Sequence, residues 1–107
     1  MTLSIRLFEP QTAGAKAFLA DKQKKLLIGG QWLAASGGGS FASHDPASGR
    51  HLADLAEATA ADVDAAVAAA RSAFESDAWR SMTPSARGKL LWRIADLIDA
   101  HADELAE

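Results

Sequence analysis

Few residues in this chain have the type and spacing that chemistry requires. There is no cysteine, which removes thiol nucleophiles, thiolate metal ligands and disulfides together. The three histidines, His44, His51 and His101, lie far apart. None stands four residues from a second histidine or a suitable carboxylate, so metal-ligand spacing is absent. Gly37-Gly38-Gly39-Ser40 invites comparison with a phosphate loop. It lacks the lysine of a Walker loop and the spacing of a dinucleotide fingerprint, and no helix is expected directly after it, so it reads as a connection. No serine sits in a nucleophile-elbow pattern. Trp32, Trp79 and Trp92 read as packing anchors and not as stacking platforms.

Composition narrows the classes further. A net charge of −3 gives no electrostatic case for nucleic acid or an anionic membrane. Lys22, Lys24 and Lys25 form the one basic cluster, which reads as a solvated helix end. No run of eighteen apolar residues and no charged leader with an apolar stretch is present, so neither a membrane span nor secretion is expected. With the absence of cysteine this points to the cytoplasm. Hydrophobic residues make up 49% of the chain, but 25 of the 107 residues are alanine. Burying single methyl groups at roughly 25 cal/mol per Å² gives a thin core against backbone entropy of about 1–2 kcal/mol per residue.

The elements that would hold any site are clearest in the second half. Thr59-Ala60-Ala61-Asp62 fits a capping box. From it Val63, Ala66, Val67, Ala70, Ala73 and Phe74 recur on one narrow helical stripe, expected to lie inside a layered structure. A short linker carries Trp79. Thr83 as N-cap with Pro84 behind it starts a second helix, whose stripe of Leu90, Leu91, Ile94, Leu97, Ile98 and Leu105 needs a large partner surface. Asp99, Asp103, Glu104 and Glu107 crowd its far end, where acids oppose the helix dipole, and no stop residue follows. The expectation is a helix that is cut and not finished.

The first half predicts smaller pieces. Residues 1–10 are weakly patterned, and residues 11–25 suggest a short helix. Leu26-Leu27-Ile28, Gly29-Gly30 and Gln31-Trp32-Leu33 fit a hairpin with a primed turn. Residues 41–44 and 51–57 predict strands on either side of the turn Asp45-Pro46-Ala47-Ser48-Gly49.

Taken in order, these motifs resemble one family. Ile28-Gly29-Gly30-Gln31-Trp32, then Asp45 to Gly49, then Ala58 to Val67 with Ala70-Arg71 and Ala73-Phe74, then Trp79, Arg87, Leu90-Leu91 and Ala95-Asp96-Leu97-Ile98 resemble the N-terminal region of the NAD(P)-dependent aldehyde dehydrogenases. The family usually has asparagine where this chain has Asp45. Residues 1–25 lie outside the match, although Phe18-Leu19 and the lysines after it faintly resemble phenylacetaldehyde dehydrogenase leaders.

The resemblance implies an α/β fold: part of an aldehyde dehydrogenase cofactor domain, with a leader and short helix over 1–25 and a hairpin, further strands and two amphipathic helices over 26–107. It implies an oxidoreductase several times longer that converts an aldehyde to a carboxylic acid with NAD or NADP, assembled as a homo-oligomer. The family's cysteine nucleophile, oxyanion donors, glutamate base and cofactor ligands fall later in the chain, so no catalytic or cofactor-binding residue is assigned here. Some members hold a monovalent cation on backbone carbonyls before the turn proline, to which Ser43 and His44 correspond. The segment's partner is then the remainder of the enzyme. The residues also admit a different class: a stand-alone α+β interaction module or gene remnant without activity.

Overall fold

The computed structural model describes residues 9–107. Residues 1–8, which make up most of the weakly patterned leader, lie outside that range. Thr12 caps helix α1 (Ala13–Ala20), its hydroxyl accepting from the Ala15 N–H at 3.2 Å. The chain turns extended at Asp21 and enters strand β1 (Gln23–Lys24). Strands β2 (Leu26–Ile28) and β3 (Gln31–Leu33) form the antiparallel hairpin, with φ of 59° at Gly29 and 78° at Gly30. Two consecutive positive φ values are what a primed two-residue turn demands and glycine alone allows cheaply.

Strands β4 (Ser40–His44) and β5 (His51–Ala56) pair antiparallel, and β1 adds to β5 in parallel, giving the order β1-β5-β4. Central β5 carries the buried Ala53, which with Ala35 makes up the whole of the buried apolar core among the described residues. The lysine cluster departs from expectation here. Helix α1 stops well short of it, and Lys24 lies in β1 opposite Leu55, its ammonium 3.7 Å from the centre of the Phe18 ring. Lys22 Nζ donates to the Leu52 carbonyl at 2.8 Å. The physical reason is that the open edge of β5 offers Gln23 and Lys24 ladder hydrogen bonds, which two more turns of lone helix would not match.

Helix α2 (Ala60–Glu75) begins as its sequence demands: the Thr59 hydroxyl accepts from the Asp62 N–H, and the Asp62 carboxylate accepts from the Thr59 N–H at 2.8 Å. Thr59→Ala should therefore cost about 1 kcal/mol of stability, measured as a shift of the denaturation midpoint in a protein that holds the segment folded. Only a narrow side of α2 is covered. Ala66 and Ala69 are half-buried, Ala69 toward the Gly29 turn, whereas Val63, Val67 and Phe74 are 54%, 64% and 61% exposed. The stripe expected to be inside is thus open to water. Its position is set by the capping box, which turns Asp62 and the residues in line with it toward the loop and hairpin.

The linker forms a one-turn helix, α3 (Asp77–Arg80). Helix α4 (Pro84–Ala100) starts on the Thr83 cap, with the hydroxyl 3.2 Å from the Ala86 N–H. It ends at His101, where φ is −112°, and a short helix α5 (Ala102–Ala106) follows. The break relieves two of the four crowded acids, since Asp103 and Glu104 fall in the first turn of α5, where the dipole favours them, while Asp99 stays in the last turn of α4 and Glu107 at the end of α5. No residue of α4 is buried: Leu91, Ile94, Leu97 and Ile98 are 47–67% exposed and Trp92 is 75% exposed.

The sum of these open faces is large. Accessible surface totals 8619 Å², against about 5,700 Å² for a compact monomer of this mass. The radius of gyration is 18.7 Å, where about 13 Å is usual for this length. Local structure is complete, with caps, turns and ladders formed. Packing is not.

Candidate functional site

Ser43 and His44 close strand β4. Ser43 faces Ala53 and His44 faces His51 on β5, with a register shift between the two that makes a bulge. Because β4 is the outer strand of its sheet, backbone groups on its far side have no ladder partner there. A bulge at this point breaks the even spacing of backbone groups along the strand. Two carbonyls supply only a fraction of a cation shell. Among the described residues no three His, Cys, Asp or Glu side chains gather to hold a metal ion.

The turn beyond is rigidly built. The Asp45 carboxylate accepts from the Ala47 N–H at 3.1 Å and from the Ser48 hydroxyl, while the Gly49 N–H returns to the Asp45 carbonyl at 2.8 Å. The Ser48 hydroxyl first, and then the Ala47 N–H, hold the Asp45 carboxyl below its ordinary range. Aspartate therefore does here what asparagine does at such a turn, its side chain accepting from the backbone two residues on. The imidazoles of His44 and His51 meet edge to face with centres 5.8 Å apart, and His51 Nε2 lies 2.9 Å from Asp54 Oδ1. His101 is remote from both, beside Glu104 at 3.4 Å.

The glycine-rich loop has a different partner from any phosphate. The Ser36 N–H donates to both oxygens of Asp62 at 3.1 Å, and the Ser36 and Thr59 hydroxyls are 2.7 Å apart. A Cβ on Gly37 would come within 2.9 Å of Thr59 Cγ2, so the backbone lies directly on the cap. The mouth of α2 is thereby filled by the chain's own carboxylate, buried at 8% exposure. The Thr59 N–H, followed by the Ser36 N–H, keeps the Asp62 carboxyl ionised below its ordinary range. A pyrophosphate would meet this fixed negative charge, so the loop does not fit a dinucleotide.

Of the three tryptophans, Trp79 alone is held. The Arg87 guanidinium stacks 4.7 Å from its ring centre, and Arg87 Nη2 donates to the Trp79 carbonyl at 3.1 Å, tying α3 to the first turns of α4. Trp32 is 65% exposed. Two contacts had no signal in the sequence. Ser36 as a partner of Asp62 is one, and the Glu107 carboxylate on the start of α1 is the other, with Oε1 accepting from the Gln11 N–H at 2.9 Å. Hydrogen bonds across 26 and 96 residues leave no trace in local pattern.

Comparison with known proteins follows the same segment. The profile of the aldehyde dehydrogenase family matches residues 32–107. The chain is 48% identical over 82 residues to phenylacetaldehyde dehydrogenase of Pseudomonas fluorescens, covering 77% of this chain and 16% of that protein. It is 43% identical over 100 residues to aminoacetaldehyde dehydrogenase of Pseudomonas aeruginosa, covering 94% of this chain and 20% of that protein. An NAD+ complex of aldehyde dehydrogenase from Bacillus cereus superposes with a TM-score of 0.83 at 44% identity, over 90% of this chain and 19% of that one. The chain thus spans a fifth or less of the length of these relatives. Among the described residues no helix is long and apolar enough to cross a membrane.

Proposed function

The chain belongs to the aldehyde dehydrogenase family, and we propose that it forms the N-terminal, outer part of the cofactor domain of an enzyme that oxidises an aldehyde to a carboxylic acid with NAD or NADP. The observation that carries this reading is the row of open apolar faces on α2 and α4, Val63 to Phe74 and Leu90 to Ile98, which need a protein surface that these residues do not supply. The relatives extend well beyond the matched segment, which is 16% and 19% of their chains, and that additional chain could supply the surface.

The segment's role is then architectural. Oxidation by this family needs a thiol nucleophile, and the chain has no cysteine. Its glycine-rich loop is closed by Asp62, so the cofactor is held by other residues. Any part in cation binding falls to the backbone of Ser43 and His44, with the remaining ligands from elsewhere. The partner is the rest of the enzyme, a homo-oligomer in a reducing, cytoplasmic setting.

A chimera tests this directly. Residues 26–107 would replace the matching segment of the Pseudomonas fluorescens relative. The expected result is a soluble protein that reduces NAD+ when given aldehyde, while the 107-residue polypeptide alone gives no aldehyde-dependent NADH. An insoluble chimera would count against the architectural role, and activity in the polypeptide alone would refute it.

A further inference from the structure

We infer that Glu107 is a carboxylate latch that docks the start of α1 onto α5. Its Oε1 accepts from the Gln11 N–H at 2.9 Å, and its Oε2 accepts from the Thr12 N–H at 3.0 Å and the Thr12 hydroxyl at 2.8 Å. A helix start leaves backbone N–H groups without partners and carries partial positive charge. Thr12 serves one of these N–H groups locally, at Ala15, and Glu107 serves two residues just ahead of the helix from 95 and 96 residues away.

Helices α1 and α5 also meet at Gly14, which lies against the Glu104 side chain; a Cβ there would displace the carboxylate end of that flexible side chain and not the backbone of α5. The far end of the same strap is fixed independently, with Arg50 Nη1 2.6 Å from Glu9 Oε1. Residues 9–12 are therefore strung between the β4–β5 turn and α5 by one ion pair and one multiply bonded carboxylate.

The latch is set by protonation. The Thr12 N–H, then the Gln11 N–H and Thr12 hydroxyl, hold the Glu107 carboxyl below its ordinary range, with Lys16 adding a weaker attraction. A lowered carboxyl favours the docked form above its ordinary pKa, and that preference is lost as pH falls through the lowered value. The other charged or titratable groups around the contact are Glu9 ahead of α1, and Asp99, His101, Asp103 and Glu104 on α4, the break and α5.

The test protein is a chimera in which residues 1–107 replace the corresponding N-terminal segment of the Pseudomonas fluorescens relative, with the cross-linked peptide identified by mass mapping. Ala13→Cys and Asp103→Cys would be introduced together and joined with a short bis-maleimide at nanomolar concentration, where contacts between molecules do not contribute. Glu107→Gln should slow intramolecular cross-linking several-fold with far-UV circular dichroism unchanged, and Thr12→Val should slow it less. Equal rates in all three proteins would overturn the latch. As a second readout, the amide proton resonances of Gln11 and Thr12 should titrate together at acid pH, and Glu107→Gln should abolish that titration. A titration that persists in Glu107→Gln would assign it to another carboxylate, Glu9 foremost, and overturn the latch as well.

Discussion

Ile94→Ala is expected to cost about 2–5 kcal/mol in an aldehyde dehydrogenase carrying this segment, and almost nothing in the 107-residue polypeptide. Ile94 is 47% exposed on the α4 face that also shows Leu91, Leu97 and Ile98. In the polypeptide the substitution removes side-chain atoms that are largely in water, and alanine is the better helix former. Once the rest of the enzyme covers the face, the same atoms leave a cavity. Paired denaturation curves of the active chimera and of the polypeptide, each with and without Ile94→Ala, measure both. An effect in the chimera no larger than that of a surface substitution would show that α4 is not covered.

Asp62→Ala is expected to destabilise the segment more than Thr59→Ala. Removing the threonine hydroxyl loses one local cap. Removing the carboxylate strands the Thr59 N–H and the Ser36 N–H together and frees the loop at residues 36–39 from the start of α2. The effect also has a pH signature. The Thr59 N–H first, with the Ser36 N–H, holds the folded Asp62 carboxyl below its ordinary range, so its contribution is fully present above about pH 4 and is lost as pH falls through the lowered value. Asp62→Ala should therefore flatten the acid limb of the stability profile in the chimera. An unchanged limb would assign the acid sensitivity to other carboxylates, Asp45 and Glu107 foremost, both of which are lowered in the same way.

Local structure could be read from the sequence because its causes are local. The Thr59 and Thr83 caps, the Gly29-Gly30 turn and the Asp45 to Gly49 turn each rest on contacts within five residues, and each forms as expected. The two-residue strand β1 was hidden because Gln23 and Lys24 carry no alternation, and the free edge of β5 alone recruits them. The break at His101 was hidden for a similar reason. Two of the acids that looked misplaced on one long helix, Asp103 and Glu104, are well placed at the start of α5. The stripe of Val63, Val67 and Phe74 was readable, but its exposure was not, because that depends on which surfaces lie alongside α2. At Ser43 and His44 the turn after the strand was readable, but the register shift between them comes from pairing with β5.

The measurement that bears most directly on the central claim is scanning calorimetry of the 107-residue polypeptide. A self-sufficient domain of this length would unfold in one sharp endotherm of about 75 kcal/mol near 60 °C. With Ala35 and Ala53 the only buried apolar residues among those described, the expected trace is broad and far smaller, showing local structure without a shared core. A single cooperative endotherm of full size, with calorimetric and van't Hoff enthalpies equal, would contradict the claim and make this chain a domain in its own right.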